Sequence, residues 1–170
     1  MEMNIIPAFS IRPVSTADKN WIRKRIIQTW RAEIIVVHGR IFTPSTLPGF
    51  IAEISGKPVG LLTYEIAESA CEIVTLESWA NKRGIGSALI NAVKEVATQN
   101  SCRKMWVVTT NDNTTALRFY QKLGFTIACI RIDEVYKARS MKPQIPLVGL
   151  DGITIRDEIE LEMKITIRGE

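Results

Sequence analysis

Along the first third of the chain the apolar positions change period twice. Ile22, Ile26, Trp30 and Ile34 recur every four residues and predict a helix with one apolar face. Ser15 and Thr16 offer capping oxygens at its start, with Asp18 in its first turn. A short strand is predicted before it, over residues 11–14. Residues 38–50 contain Gly39, Pro44, Pro48 and Gly49 and read as an irregular connection. Residues 50–54 and 59–66 read as two strands joined by the turn Ser55-Gly56-Lys57-Pro58, a hairpin. A third strand is predicted over residues 71–77.

A helix then opens at Gly84-Ile85-Gly86, with Leu89, Ala92, Val93 and Val96 on one face. The short apolar run in residues 104–109 marks a central buried strand. Asn113 is a plausible cap for a helix over residues 114–122, which Gly124 stops. A strand over residues 125–132 and a short helix over 134–141 follow. Finally Ile159, Leu161, Met163 and Ile165 alternate with Glu158, Glu160, Glu162 and Lys164, predicting a half-buried strand with a polar outer face. The sum is a mixed α/β chain of about seven strands and about four helices.

Composition narrows the class. The chain has 170 residues, 46% hydrophobic and 24% charged, which suits one folded domain and excludes a disordered chain. The net charge of +4 is spread without long like-charge runs, so no nucleic-acid arm is indicated. No apolar run approaches the roughly 18 residues of a membrane span, and no signal peptide is evident. Cys71, Cys102 and Cys129 are far apart and form no CxxC pair, which reads as free thiols in a reducing cytoplasm and as no metal site.

The stretch Asn81-Lys82-Arg83-Gly84-Ile85-Gly86-Ser87-Ala88 lies between a strand and a helix. Paired glycines let the backbone turn tightly, and the first N–H groups of a helix lack internal partners, so such a turn suits phosphate. Lys82 and Arg83 add positive charge there. About 30 residues downstream runs Asn113-Thr114-Thr115-Ala116-Leu117-Arg118-Phe119-Tyr120-Gln121-Lys122-Leu123-Gly124-Phe125.

These two stretches, in this order, resemble the phosphate loop and the Asn-x-x-Ala-x-x-Phe-Tyr-x-Lys-x-Gly-Phe segment of the GNAT superfamily of acyl-CoA-dependent N-acetyltransferases. Asn81 departs from that family's usual Gln or Arg. The resemblance implies one GNAT-like α/β (α+β) domain over residues 1–170, with its core at about 10–166. It implies a mixed sheet in which two parallel central strands, residues 72–77 and 105–109, splay apart. Acetyl-CoA would be the acyl donor, with its pantetheine arm in the gap, and a primary amine the acceptor, its nitrogen attacking the thioester carbonyl directly through a tetrahedral intermediate. A non-catalytic acyl-CoA sensor of the same fold is the alternative.

On the same resemblance Glu72 ranks first as general base and Glu77 second. On a regular strand their odd spacing puts them on opposite faces; a bulge near Leu76 would alter this. Tyr120 takes the place of the general acid. The main chain of Leu76, Glu77 and Ser78 would hold pantetheine, and an N–H there would meet the oxyanion. Lys82, Arg83, Gly84, Ile85, Gly86, Ser87 and Ala88 would hold the diphosphate, and Asn113 would touch the cofactor arm. His38, the sole histidine, falls in the stretch placed near the acceptor. The acceptor itself is set by residues 32–48 and 133–157. There Glu33, with Glu53 and Glu65, could attract an amine, whereas Arg131, Lys137, Arg139 and Lys142 could draw a carboxylate. A homodimer is the ordinary expectation for an enzyme of this kind.

Overall fold

The computed structural model describes residues 8–80 and 84–166. Its strands are β1 (Ser10–Pro13), β2 (Ile35–Val37), β3 (Arg40–Phe42), β4 (Gly49–Ile54), β5 (Lys57–Ala67), β6 (Ala70–Ser78), β7 (Lys104–Thr110), β8 (Thr126–Arg131) and β9 (Glu158–Lys164). Its helices are α1 (Lys19–Trp30), α2 (Ile85–Gln99), α3 (Thr114–Lys122) and α4 (Glu134–Ala138). Seven strands form one sheet in the order β1-β4-β5-β6-β7-β9-β8, and β2 and β3 form a separate hairpin. Only β6 and β7 pair in parallel; every other neighbour in the sheet is antiparallel.

Two apolar faces hold the layers together. On one, α2 buries Ile85, Leu89, Ile90, Val93 and Ala97 against Leu62, Ile73, Met105 and Leu161 of the sheet. Burying each large aliphatic side chain contributes about 1.5–3 kcal/mol. On the other, Ile22 and Ile26 of α1 pack on Ile51 and Leu61. The four-residue spacing carries this face only two turns. Arg31 adopts φ 60° and ends α1, so Ile34 lies beyond it and Trp30 stays partly exposed.

Gly49 of β4 lies close against the backbone of β5. A Cβ built there would lie 2.2 Å from the backbone oxygen of Leu62. Backbone cannot yield as a side chain can, so Gly49→Ala is expected to cost about 3 kcal/mol or more. A thermal melt should show Tm lower by roughly 6–12 °C.

Two expectations need correction. Residues 38–50 are not an irregular connection throughout. Val37-His38-Gly39-Arg40 closes the β2–β3 hairpin, with φ 40° at His38 and 75° at Gly39, as a two-residue turn with both central φ values positive requires. Nor does β9 present a polar outer face along its length, because Glu158 and Glu160 are buried. The β2–β3 hairpin covers Glu158, whose carboxylate oxygens both accept from the His38 N–H at 2.9 and 3.0 Å, and Arg131 at the end of β8 pairs with Glu160.

Candidate functional site

The centre of the sheet is open. β6 and β7 pair only where residues 70–73 meet 104–107. Past that point β6 stays laddered to β5 as far as Ser78, and β7 to β9 as far as Thr110. Each strand follows its outer partner, and the two diverge as the family resemblance implies. Val74–Ser78 thus faces a gap with an unpaired strand edge.

A cavity of about 470 Å³ lies on one side of the gap, lined by Leu76, Ser78, Gly84, Gly86, Phe119 and Tyr120 among others. Gly84 holds φ 72° just before α2, a conformation that glycine adopts without strain. Gly86 meets the face of α3. A Cβ there would stand 3.0 Å from Phe119 Cζ, so the second glycine lets the two helices close on the cavity. The Ala88 N–H already donates to Gly84 O at 3.0 Å. The first-turn amides of Ile85, Gly86 and Ser87 precede it and have no intrahelical acceptor. Asn81, Lys82 and Arg83 lie outside the described residues.

Tyr120 is buried, with its ring edge-on to Phe119 at 5.2 Å and to Phe125 at 5.5 Å between centroids. Burial pushes its phenol above the ordinary value, so it stays protonated well past neutral pH. Asn113 caps α3, its Oδ1 accepting the Ala116 N–H at 3.1 Å. It also lines both this cavity and a second one.

The second cavity, about 450 Å³, lies on the face of α1 and the hairpin. Its walls include Val108–Thr110 of β7, together with Ile35–Val37 of β2 and parts of residues 135–155, which fall in the two segments that the sequence assigns to the acceptor. Glu72 projects into it from β6 and is buried. Glu72 Oε1 lies 2.6 Å from His38 Nε2, while Oε2 is buried without a hydrogen bond and has only Arg40 at 3.5 Å. His38 is fixed from below by Trp106, centroid to centroid 4.9 Å, and its backbone is held by Glu158. A buried carboxylate oxygen short of one donor is a place for an ammonium N–H.

Glu72 and Glu77 share a face, for a reason that spacing alone hides. Thr63 pairs with Thr75 and Tyr64 with Ile73, so Val74 is a bulge with no partner on β5. The extra residue restores the parity of the two glutamates. The bulge sits at Val74, two residues before Leu76. Glu77 is fully engaged, accepting hydrogen bonds from Arg25 (2.9 Å), Thr29 (3.3 Å) and the Trp30 indole (3.1 Å). It ties α1 to β6 and lines neither cavity. Trp79 stacks edge-on with Trp21 beneath Arg25, away from both cavities.

His38 is the residue that sequence reasoning undervalued. The His38-Gly39 pair between Ile35-Val36-Val37 and Ile41-Phe42 is a two-residue hairpin signal, and it would have placed the histidine on a defined turn.

No thiol lines either cavity. Cys71 and Cys102 are buried in the core on the α2 side, and burial pushes the Cys71 thiol up to about 12. Among the described residues no group of three His, Cys, Asp or Glu side chains could hold a metal ion, and no helix is long and apolar enough to cross a membrane.

The sequence model described as the Acetyltransferase (GNAT) family matches residues 19–125. The chain is 39% identical over 150 residues to the uncharacterized protein YdhI of Bacillus subtilis (strain 168), covering 88% of this chain and 94% of that protein. It is 35% identical over 160 residues to the uncharacterized protein YxbD of the same organism, covering 94% and 97%. Among solved structures, the fold superposes on the IAA acetyltransferase from Bacillus cereus ATCC 14579 with TM-score 0.68 at 22% identity, over 92% of this chain and 99% of that one. A GNAT family acetyltransferase from Elizabethkingia anophelis with acetyl-CoA bound superposes with TM-score 0.66 at 21% identity, over 92% and 97%.

Proposed function

This chain belongs to the GNAT acetyltransferase family, and on that premise we propose that it transfers an acetyl group from acetyl-CoA to a primary amine by direct attack. The observation that carries this reading is the opening between β6 and β7, with a glycine-turned helix start on one side and a buried, half-satisfied carboxylate on the other.

The residues present fit the donor. The amides of Ile85, Gly86 and Ser87 suit a diphosphate. Gly84 and Gly86 keep that turn free of side chains, and Lys82 and Arg83 follow in the same reading as its counter-charges. The open edge of β6 at Leu76, Glu77 and Ser78 suits the amides of the pantetheine arm, which would add to the sheet as a strand does. Acetyl-CoA supplies an activated thioester carbonyl.

The chain's own groups then divide the proton work. Glu72 Oε2 takes the proton that an alkylammonium must lose before its nitrogen can attack. His38 holds the other carboxylate oxygen and fixes its direction. A backbone N–H near Leu76 or Glu77 hydrogen-bonds the developing oxyanion. The Tyr120 phenol gives its proton to the departing sulfur and recovers it from solvent. Asn113, at the junction of the two cavities, touches the arm where it passes through. Glu77 keeps β6 seated on α1. The buried, protonated thiols of Cys71 and Cys102 fit direct transfer without an acyl-enzyme, and a reducing cytoplasm.

Acetyl-CoA at 100 times its dissociation constant is expected to stabilise the fold by ~2.7 kcal/mol. Thiol release should then follow with a subset of primary amines. A comparable shift with ATP or NAD and none with acetyl-CoA would reject the reading. A shift with acetyl-CoA but no thiol release across a broad amine panel would instead favour an acyl-CoA sensor.

A further inference from the structure

The charged residues able to select an acceptor are almost all spent. Glu33 pairs with Arg23, Glu53 with Arg12 and Glu65 with Arg40. Arg131 pairs with Glu160 and Lys137 with Glu134, while Arg139 donates to the carbonyls of Ile145, Pro146 and Ile155. Lys142 remains. It lines the Glu72 cavity, is 4% exposed, and its ammonium makes no hydrogen bond or ion pair among the described residues.

The other buried charges of that cavity do not account for it. Asp112 accepts from the Thr110 hydroxyl (2.5 Å) and the Leu150 N–H (3.0 Å). Glu158 is held by the His38 N–H and Glu72 by the His38 ring. Arg31 sits exposed at the rim. The position of Lys142 is built: its N–H donates to Ala138 O at 2.9 Å, its carbonyl accepts from Ile145 N–H at 3.2 Å, and Arg139 staples the segment that follows. The side chain is buried while its Nζ keeps some exposure, and a cation without a partner in so enclosed a place is stabilised by an incoming anion more than one in open water would be. Desolvation lowers its proton affinity, a cost that binding an anion would also reverse.

We propose that Lys142 anchors a carboxylate of the acceptor, so that the acceptor is a small amine bearing a carboxylate rather than a bare alkylamine. The proposal rests on the acetyl-transfer reading above. Glu72 receives the amine end and Lys142 the acid end. The walls of the same cavity include Val135, Ile145 and Ile155, which suit an aliphatic linker.

Matched probes test it: 5-aminovalerate against butylamine, leucine against isoamylamine, and 3-aminopropyl phosphate as the other anion. Thiol release from acetyl-CoA is expected with at least one carboxylate amine at a kcat/KM well above that of its uncharged partner. Lys142→Met should raise KM for that carboxylate amine roughly 10- to 100-fold, leave butylamine and isoamylamine unchanged, and keep the acetyl-CoA thermal shift. Lys142→Arg should restore part of the loss. Equal turnover of the matched pairs, a KM unmoved by Lys142→Met, or preference for the phosphate would overturn the carboxylate anchor. Binding is also read without turnover: a carboxylate amine should raise the Tm of the wild type in the presence of CoA but not that of Lys142→Met, and equal shifts reject the anchor. Loss of the acetyl-CoA shift alone, with the carboxylate shift intact, would reject the transfer reading and leave the anchor standing.

Discussion

Glu72→Gln is expected to lower kcat/KM by about 10²–10⁴-fold with any amine the protein accepts. The change is isosteric, and a carboxamide oxygen can still accept from His38 Nε2, whose partner Oε1 now stands at 2.6 Å. What is lost is the basic Oε2, the buried atom with no hydrogen bond. Glu72 lines the cavity beside the β2–β3 hairpin and not the one beside Gly84, so the stabilisation by acetyl-CoA should persist. Thiol release measured beside a thermal melt separates the two effects. A variant that keeps full turnover would remove Glu72 from the proton path. One that loses acetyl-CoA binding as well would mean that the two cavities are not divided as the geometry suggests.

Tyr120→Phe should reduce kcat by roughly 10- to 100-fold while moving KM for acetyl-CoA little, because the ring still packs between Phe119 and Phe125. The phenol works as an acid only while protonated. Burial raises its folded pKa above the ordinary value, so its contribution is complete at neutral pH and fades only as pH climbs through that raised value. The wild-type rate profile should therefore show no decline from Tyr120 below about pH 10. Turnover unaffected by the substitution across pH would end the case for Tyr120 as sole acid.

Much of the proposed donor side has a local structure that was legible in the sequence, because its signals are local. Paired glycines after a strand, an asparagine cap and a glycine stop each act within a few residues, and Gly84, Asn113 and Gly124 sit in those roles. The proposed acceptor side was less legible because it depends on contacts between distant segments. The β2–β3 hairpin has three-residue strands, too short for a period to show. Its consequences reach β9, 120 residues away, where it converts Glu158 from a solvent-facing residue into a buried acceptor. The bulge at Val74 is visible only in the register of β5 against β6, yet it decides which face Glu77 occupies. Lys142 was one of four cations that the sequence could not rank; the partners of the other three rank it.

A crystal structure of the protein with acetyl-CoA tests the central claim most directly. The account predicts the diphosphate on the amides of Ile85–Ser87, the pantetheine arm laid along Leu76–Ser78, and the acetyl group at Asn113 where the two cavities meet. Acetyl-CoA bound elsewhere, or β6 and β7 closed against each other beyond Ile73 with no room for the arm, would contradict it.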